Sequence, residues 1–164
     1  MQKETVTRIG LKPKAAKDSA AILNMFLADE YVFLTKILKY HWNITGPYFF
    51  ELHKLFDSQY HEVFEMIDEV AERVRSIGGV AFGTLAEFSK NSRIKEMPGE
   101  MPSAVEMLAD LVRGHETIIV AMREAIPDIE EQEDYGTMDF LTKLMEQHEK
   151  MAWFLRAHLQ ERPM

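Results

Sequence analysis

Cysteine is absent from the 164 residues, so neither a disulfide framework nor a thiolate metal site is available, and any bound metal must be held by His, Asp and Glu. That donor set suits iron or zinc over softer metals. Long apolar runs are missing too: no window holds roughly 18 uncharged apolar residues, and Met1 to Thr7 lacks the apolar stretch of a secretory signal. The expectation is a cytoplasmic protein with no membrane contact. Nor is there a surplus of positive charge, since 19 Lys and Arg face 27 Asp and Glu for a net charge of -8. This argues against nonspecific nucleic-acid binding by the body of the domain, and acidic surfaces suit cations instead. Finally, no Glu-x-x-His motif occurs: the residues three before the histidines are Leu38, Phe50, Ser58, Val112, Met145 and Leu155. A di-metal carboxylate core inside one helical bundle is thereby disfavoured. There is no repeat and no low-complexity segment.

What is present is helical patterning sufficient for one domain, with 46% hydrophobic and 10% aromatic residues. Residues 1–17 are polar, carry Lys3, Arg8, Lys12, Lys14 and Lys17 against Glu4 alone, and read as a flexible basic tail. From Asp18 onward Ile22, Leu23, Phe26, Leu27, Phe33, Leu34, Ile37 and Leu38 recur at helical intervals until Gly46-Pro47. A second periodic stretch runs from about Phe49 to Ile77 and stops at Gly78-Gly79. Residues 80–102 hold Gly83, Pro98, Gly99 and Pro102, which leaves room only for a short helix between Leu85 and Ser92. Ser103 and Glu106 form a capping-box pattern opening a third long helix, expected to end at Pro127. An acidic loop from Asp128 to Tyr135 then precedes a fourth, from about Thr137 to Leu159. Two helices, a long connector and two more helices make an all-α four-helix bundle over residues 18–164, with a crossover connection carrying the short helix.

His41, His53, Asp57, Asp68 and Glu72 cluster around the second helix and are imidazole and oxygen donors suited to ferrous iron. His53 and Asp57 are four residues apart, as are Asp68 and Glu72, so each pair shares a helix face with side chains roughly 6 Å apart. Acidic pairs at this spacing also occur on solvated faces, and spacing alone does not decide between the two. Asp57 and Asp68 return to nearly the same azimuth but lie roughly 16 Å apart along the axis, too far for one ion. The helix therefore offers two half-sites. A two-fold axis bringing two such helices together antiparallel would let each subunit complete the other's site.

The run His41-Trp42-Asn43-Ile44-Thr45-Gly46-Pro47-Tyr48-Phe49-Phe50-Glu51-Leu52-His53-Lys54-Leu55-Phe56-Asp57, followed by Ile67-Asp68-Glu69-Val70-Ala71-Glu72-Arg73, closely resembles the signature of the Dps family of ferritin-like mini-ferritins. The likeness covers nearly the whole chain. It implies a ferroxidase site of His41, His53 and Asp57 from one subunit with Asp68 and Glu72 from its two-fold mate. It implies a hollow homododecamer of tetrahedral symmetry, with non-haem iron as the metal and hydrogen peroxide as the usual preferred oxidant, and a location in the cytoplasm or on the nucleoid.

Asp134 and Asp139 flank the start of the fourth helix, where the resemblance places a negatively charged iron-entry pore at the three-fold axis. Acids at a helix N-terminus also stabilise the helix dipole without further function. The tail residues Lys3, Arg8, Lys12, Lys14 and Lys17 are the one feature suited to DNA, a property that varies within the family. Trp42 and Trp153 read as packing residues, Trp42 also being placed to intercept stray oxidising equivalents. His61, His115, His148 and His158 have no partner at a ligand spacing that the resemblance supports, and are assigned to surface or interface positions. Asn43-Ile44-Thr45 is formally a glycosylation sequon with no route to modification.

Overall fold

The computed structural model describes residues 7–160, and within them every regular element is a helix. These are α1 (Pro13–Asn43), α2 (Phe49–Ser76), α3 (Leu85–Asn91), α4 (Ala104–Glu131) and α5 (Tyr135–Leu159). α1 packs along α2 and α4 along α5, with α1 also against α4 and α2 also against α5, which closes a four-helix bundle. Its core is largely apolar, from Leu23, Phe26, Phe33 and Ile37 on α1 to Phe56, Val63 and Val70 on α2, Leu111 and Ile118 on α4, and Leu141, Leu144 and Leu155 on α5.

The connector between α2 and α4 travels along α1. Asn24 donates to the carbonyl of Val80 and accepts from the backbone N–H of Phe82. Further along, buried Asp29 accepts from Ser92 and pairs with Arg93 at 3.0 Å, and Lys39 donates to the carbonyl of Met97. Residues 24, 29 and 39 of one helix thus hold successive points of the connector over about 22 Å of helix axis. α4 therefore begins at the end of the bundle where α1 finishes. The short α3 has a complete capping box between Thr84 and Glu87, and α4 has the expected one between Ser103 and Glu106.

Three boundaries differ from the sequence reading. α1 starts at Pro13, so Lys14 and Lys17 lie on the helix and not in a tail. Proline suits the first helical position because its missing N–H would have had no intrahelical partner there. Lys3 lies outside the described residues. α4 does not stop at Pro127 but continues to Glu131, its last turn anchored by fully buried Ile129. Burial of that side chain outweighs the hydrogen bond that proline cannot donate. The acidic loop is consequently short: Glu133, at φ 61, turns the chain, and Asp134 caps α5.

Close approach of α1 and α4 depends on Gly114. A Cβ there would lie 2.2 Å from the Phe33 ring, so the absence of a side chain makes room for the aromatic. None of the described helices is long and apolar enough to cross a membrane.

Candidate metal centre

α1 ends at Asn43 and α2 starts at Phe49, and the tight reversal between them lays His41 against His53. The two imidazoles stack with centroids 4.0 Å apart, and each donates from Nδ1 to the other's backbone carbonyl, at 3.1 Å from His41 and 2.9 Å from His53. This reciprocal pair fixes both rings in the Nδ1–H tautomer and leaves both Nε2 lone pairs available, the state a metal ligand requires. Asp57 Oδ1 stands 4.0 Å from His41 Nε2. The gap is too wide for a hydrogen bond.

Aromatic rings support the pair on both sides. Phe49 stacks on His53 at 5.1 Å, and Tyr60 meets His41 edge-on at 5.2 Å. Desolvation against its neighbours, followed by the Asp57 carboxylate, pushes the Tyr60 phenol above its ordinary pKa. The phenol therefore remains a neutral donor beside the acid.

Asp68 and Glu72 are exposed farther down the same face of α2 and are not brought to the histidines within this chain. Among the described residues no three His, Asp or Glu side chains of the single chain converge as a metal-holding group. One chain thus presents two separated fragments, a nitrogen-rich one at residues 41, 53 and 57 and a carboxylate one at 68 and 72. Phe64, 61% exposed, lies between them on that face. Trp42 and Trp153 are likewise surface residues here and do not belong to the core, at 69% and 59% exposed.

Asp134 is 4% exposed, accepts from the backbone N–H of Thr137 as the α5 cap, and pairs with Arg73 at 3.1 Å. Burial alone would raise its carboxyl, but the Thr137 hydrogen bonds and the Arg73 guanidinium prevail and hold it below the ordinary range. Its charge is spent inside the bundle end, and of the two expected pore acids only Asp139 is exposed. Among the basic residues Arg8 and Lys17 are exposed, Lys12 pairs with Glu133 at 2.9 Å and Lys14 with Asp18 at 2.6 Å.

His115 and His148 are fully buried and do not occupy surface or interface positions. Their Nδ1 atoms are 2.8 Å apart, His148 Nε2 is 2.8 Å from Glu30 Oε1, and His115 Nε2 faces Gln59 Oε1 at 3.4 Å. One side chain from each of the four long helices enters this chain of contacts. Burial, then the neighbouring His148, holds His115 well below the ordinary histidine pKa. The donors run in series and do not converge on one point.

The sequence model of the ferritin-like domain matches residues 20–164, which places the chain in the ferritin-like class that its bundle and crossover define. Among curated proteins it is 42% identical over 156 residues to an uncharacterised low temperature-induced protein of Nostoc, covering 94% of this chain and 87% of that one. It is 35% identical over 146 residues to DNA protection during starvation protein 2 of Bacillus anthracis, covering 88% of this chain and 99% of that protein. Among solved structures, DpsC from Streptomyces coelicolor superposes with a TM-score of 0.93 at 32% identity, over 100% of this chain and 97% of that one. The chain belongs to the Dps family.

Proposed function

We propose that this protein oxidises ferrous iron, preferentially with hydrogen peroxide, at sites shared between two subunits, and stores the ferric product inside a hollow homododecamer, protecting its cell from oxidative damage. The observation that carries this reading is the His41–His53 pair, both Nδ1 atoms committed to carbonyls and both Nε2 atoms free, with the Asp57 carboxylate 4.0 Å from His41 Nε2. The exposed Asp68 and Glu72 supply the missing acids once a second α2 lies antiparallel, so that Asp57 faces Asp68 and His53 faces Glu72. Membership of the Dps family, with relatives named for DNA protection during starvation, supports it.

The ligand set suits the chemistry. Imidazoles hold a labile ferrous ion, while carboxylates favour the harder ferric ion and lower the potential at which the electron leaves. Two ferrous ions give one electron each; peroxide takes both and, with two protons, leaves as two waters. The ferric ions then hydrolyse and the mineral grows in the cavity. Asp139, exposed near the start of α5, is suited to draw cations inward, and any DNA contact falls to the tail and to the α1 lysines.

Mixed oligomers of His53→Ala and Asp68→Ala chains test the sharing. Each mixed pair contains one whole site and one doubly broken site, so random assembly returns about a quarter of wild-type sites although each variant alone is nearly inactive. Mixed oligomers no more active than either parent would place a complete site within each subunit and overturn the reading.

A further inference from the structure

Two aromatic side chains on the outward face of α2 belong to neither half-site. Between His53 and Glu72, Phe64 is the one large apolar side chain left exposed, at 61%, while Val63 and Met66 beside it are buried in the core. It stands three residues beyond His61, so the two rings are neighbours on one helix face, roughly 6 Å apart. His61 is held there as a platform. Its Nδ1 donates to the carbonyl of Asp57 at 2.8 Å, its ring stacks on Tyr60 at 4.1 Å, and Tyr60 in turn meets the His41 ring edge-on at 5.2 Å. The His61 side chain is nevertheless 62% exposed, so an anchored ring still offers its surface to a partner.

Asp57 and Asp68 lie equally far from the midpoint of α2 between Glu62 and Val63, as do His53 and Glu72, and so do His61 and Phe64. The antiparallel register that joins the half-sites therefore also sets each His61 against the partner's Phe64. Four rings then surround the two-fold axis. The same register sets Asp57 against Asp68, and two carboxylates repel until a cation lies between them. The attraction that holds the helices together before metal binds has to come from elsewhere on the face. Sliding one helix by four residues would bring Phe64 against Glu65 or against Asp57, covering a carboxylate with an aromatic ring and leaving it without a partner. We propose that His61 and Phe64 of two copies of this chain form a four-ring cluster on the axis, which selects the register of the α2 pair and holds the half-sites in place before metal binds. The inference rests on the shared-site reading and gives that interface its positioning residues. Through Tyr60 the cluster is in contact with the His41 ring, so the seating of the partner and the placing of a ligand are one packing arrangement.

The test is sedimentation of metal-free protein over a range of concentrations, followed by titration with cobalt(II) alone. Phe64→Ala and His61→Ala are each expected to keep the helical spectrum, because both side chains are exposed in the single chain, and to dissociate at several-fold higher protein concentration than wild type. Cobalt is expected to drive their reassembly by joining the half-sites. Phe64→Leu keeps apolar surface at the axis and should assemble nearly as wild type does. The double Ala variant should lose little more than either single one, since both remove the same contact, whereas two independent packing roles would multiply. A Phe64→Ala protein that assembles like wild type, or single effects that multiply in the double variant, overturns the proposal and leaves the shared-site reading standing. If Asp57→Ala binds cobalt as wild type does, the shared-site reading itself falls, and the proposal with it.

Discussion

Acidification should weaken the folded protein through one buried histidine. Gln59 donates from Nε2 to the carbonyl of Met151 at 3.2 Å, which turns its Oε1 toward His115 Nε2. His115 therefore carries its proton on Nε2 and accepts at Nδ1 from His148 Nδ1, while Glu30 and His148 share a further proton across 2.8 Å. A proton added to His115 would set two N–H groups against each other 2.8 Å apart with no acceptor. Hence the depressed pKa, caused first by burial and then by His148 and Arg156. The sign follows from linkage: above pH ~6.5 neither folded nor unfolded chain protonates this histidine, whereas below it the unfolded chain gains a proton that the folded chain refuses. Stability is thus fully present above the unfolded pKa and lost as pH falls, at up to about 1.4 kcal/mol per pH unit, or roughly 2 kcal/mol by pH ~5. His115→Gln removes the titration, and by stranding its neighbours lowers stability near neutrality by about 1–3 kcal/mol. Guanidinium unfolding midpoints of both proteins, measured at one protein concentration because assembly stabilises by mass action, should converge as pH is lowered from ~7 to ~5. A gap between them that stays constant with pH would refute the proton assignment.

Gly114→Ala should destabilise the bundle by about 1–3 kcal/mol, because the new methyl meets the Phe33 ring at 2.2 Å, and thermal unfolding at fixed concentration reads this out. Asp139→Asn should slow iron uptake at limiting ferrous concentrations and lose its effect at high salt, whereas Asp134→Asn should chiefly lower stability, its carboxylate being paired with Arg73 at 3.1 Å. Stopped-flow uptake and melting curves separate the two. Deletion of residues 1–12 should abolish whatever DNA retardation those residues provide; retention that persists and weakens steeply with salt would assign the contact to Lys14 and Lys17 on α1.

Much of this architecture was legible along the chain, because helix periodicity, capping boxes and glycine or proline breakers act over a few residues. The pattern from Phe49 to Ile77 anticipated α2 to within a residue at its C-terminal end. The shared faces of α2 were legible for the same reason, since the pairing of His53 with Asp57 and of Asp68 with Glu72 is a consequence of helical pitch. Pairings between helices were a different matter. Pro127 reads as a stop, yet the helix runs through it because Ile129 finds a buried position beyond. Asp134 reads as a pore acid or a helix-dipole acid, yet Arg73, 61 residues earlier, reaches it inside the bundle end. Nothing local distinguishes His115 and His148 from surface histidines: they are 33 residues apart, and only the rotation of α4 and α5 about their axes points both inward. Sequence by itself determined which side chains share a helix face. The tertiary structure decided which faces meet, because helix rotation is set by the packing of the whole core and not by the spacing of any one motif.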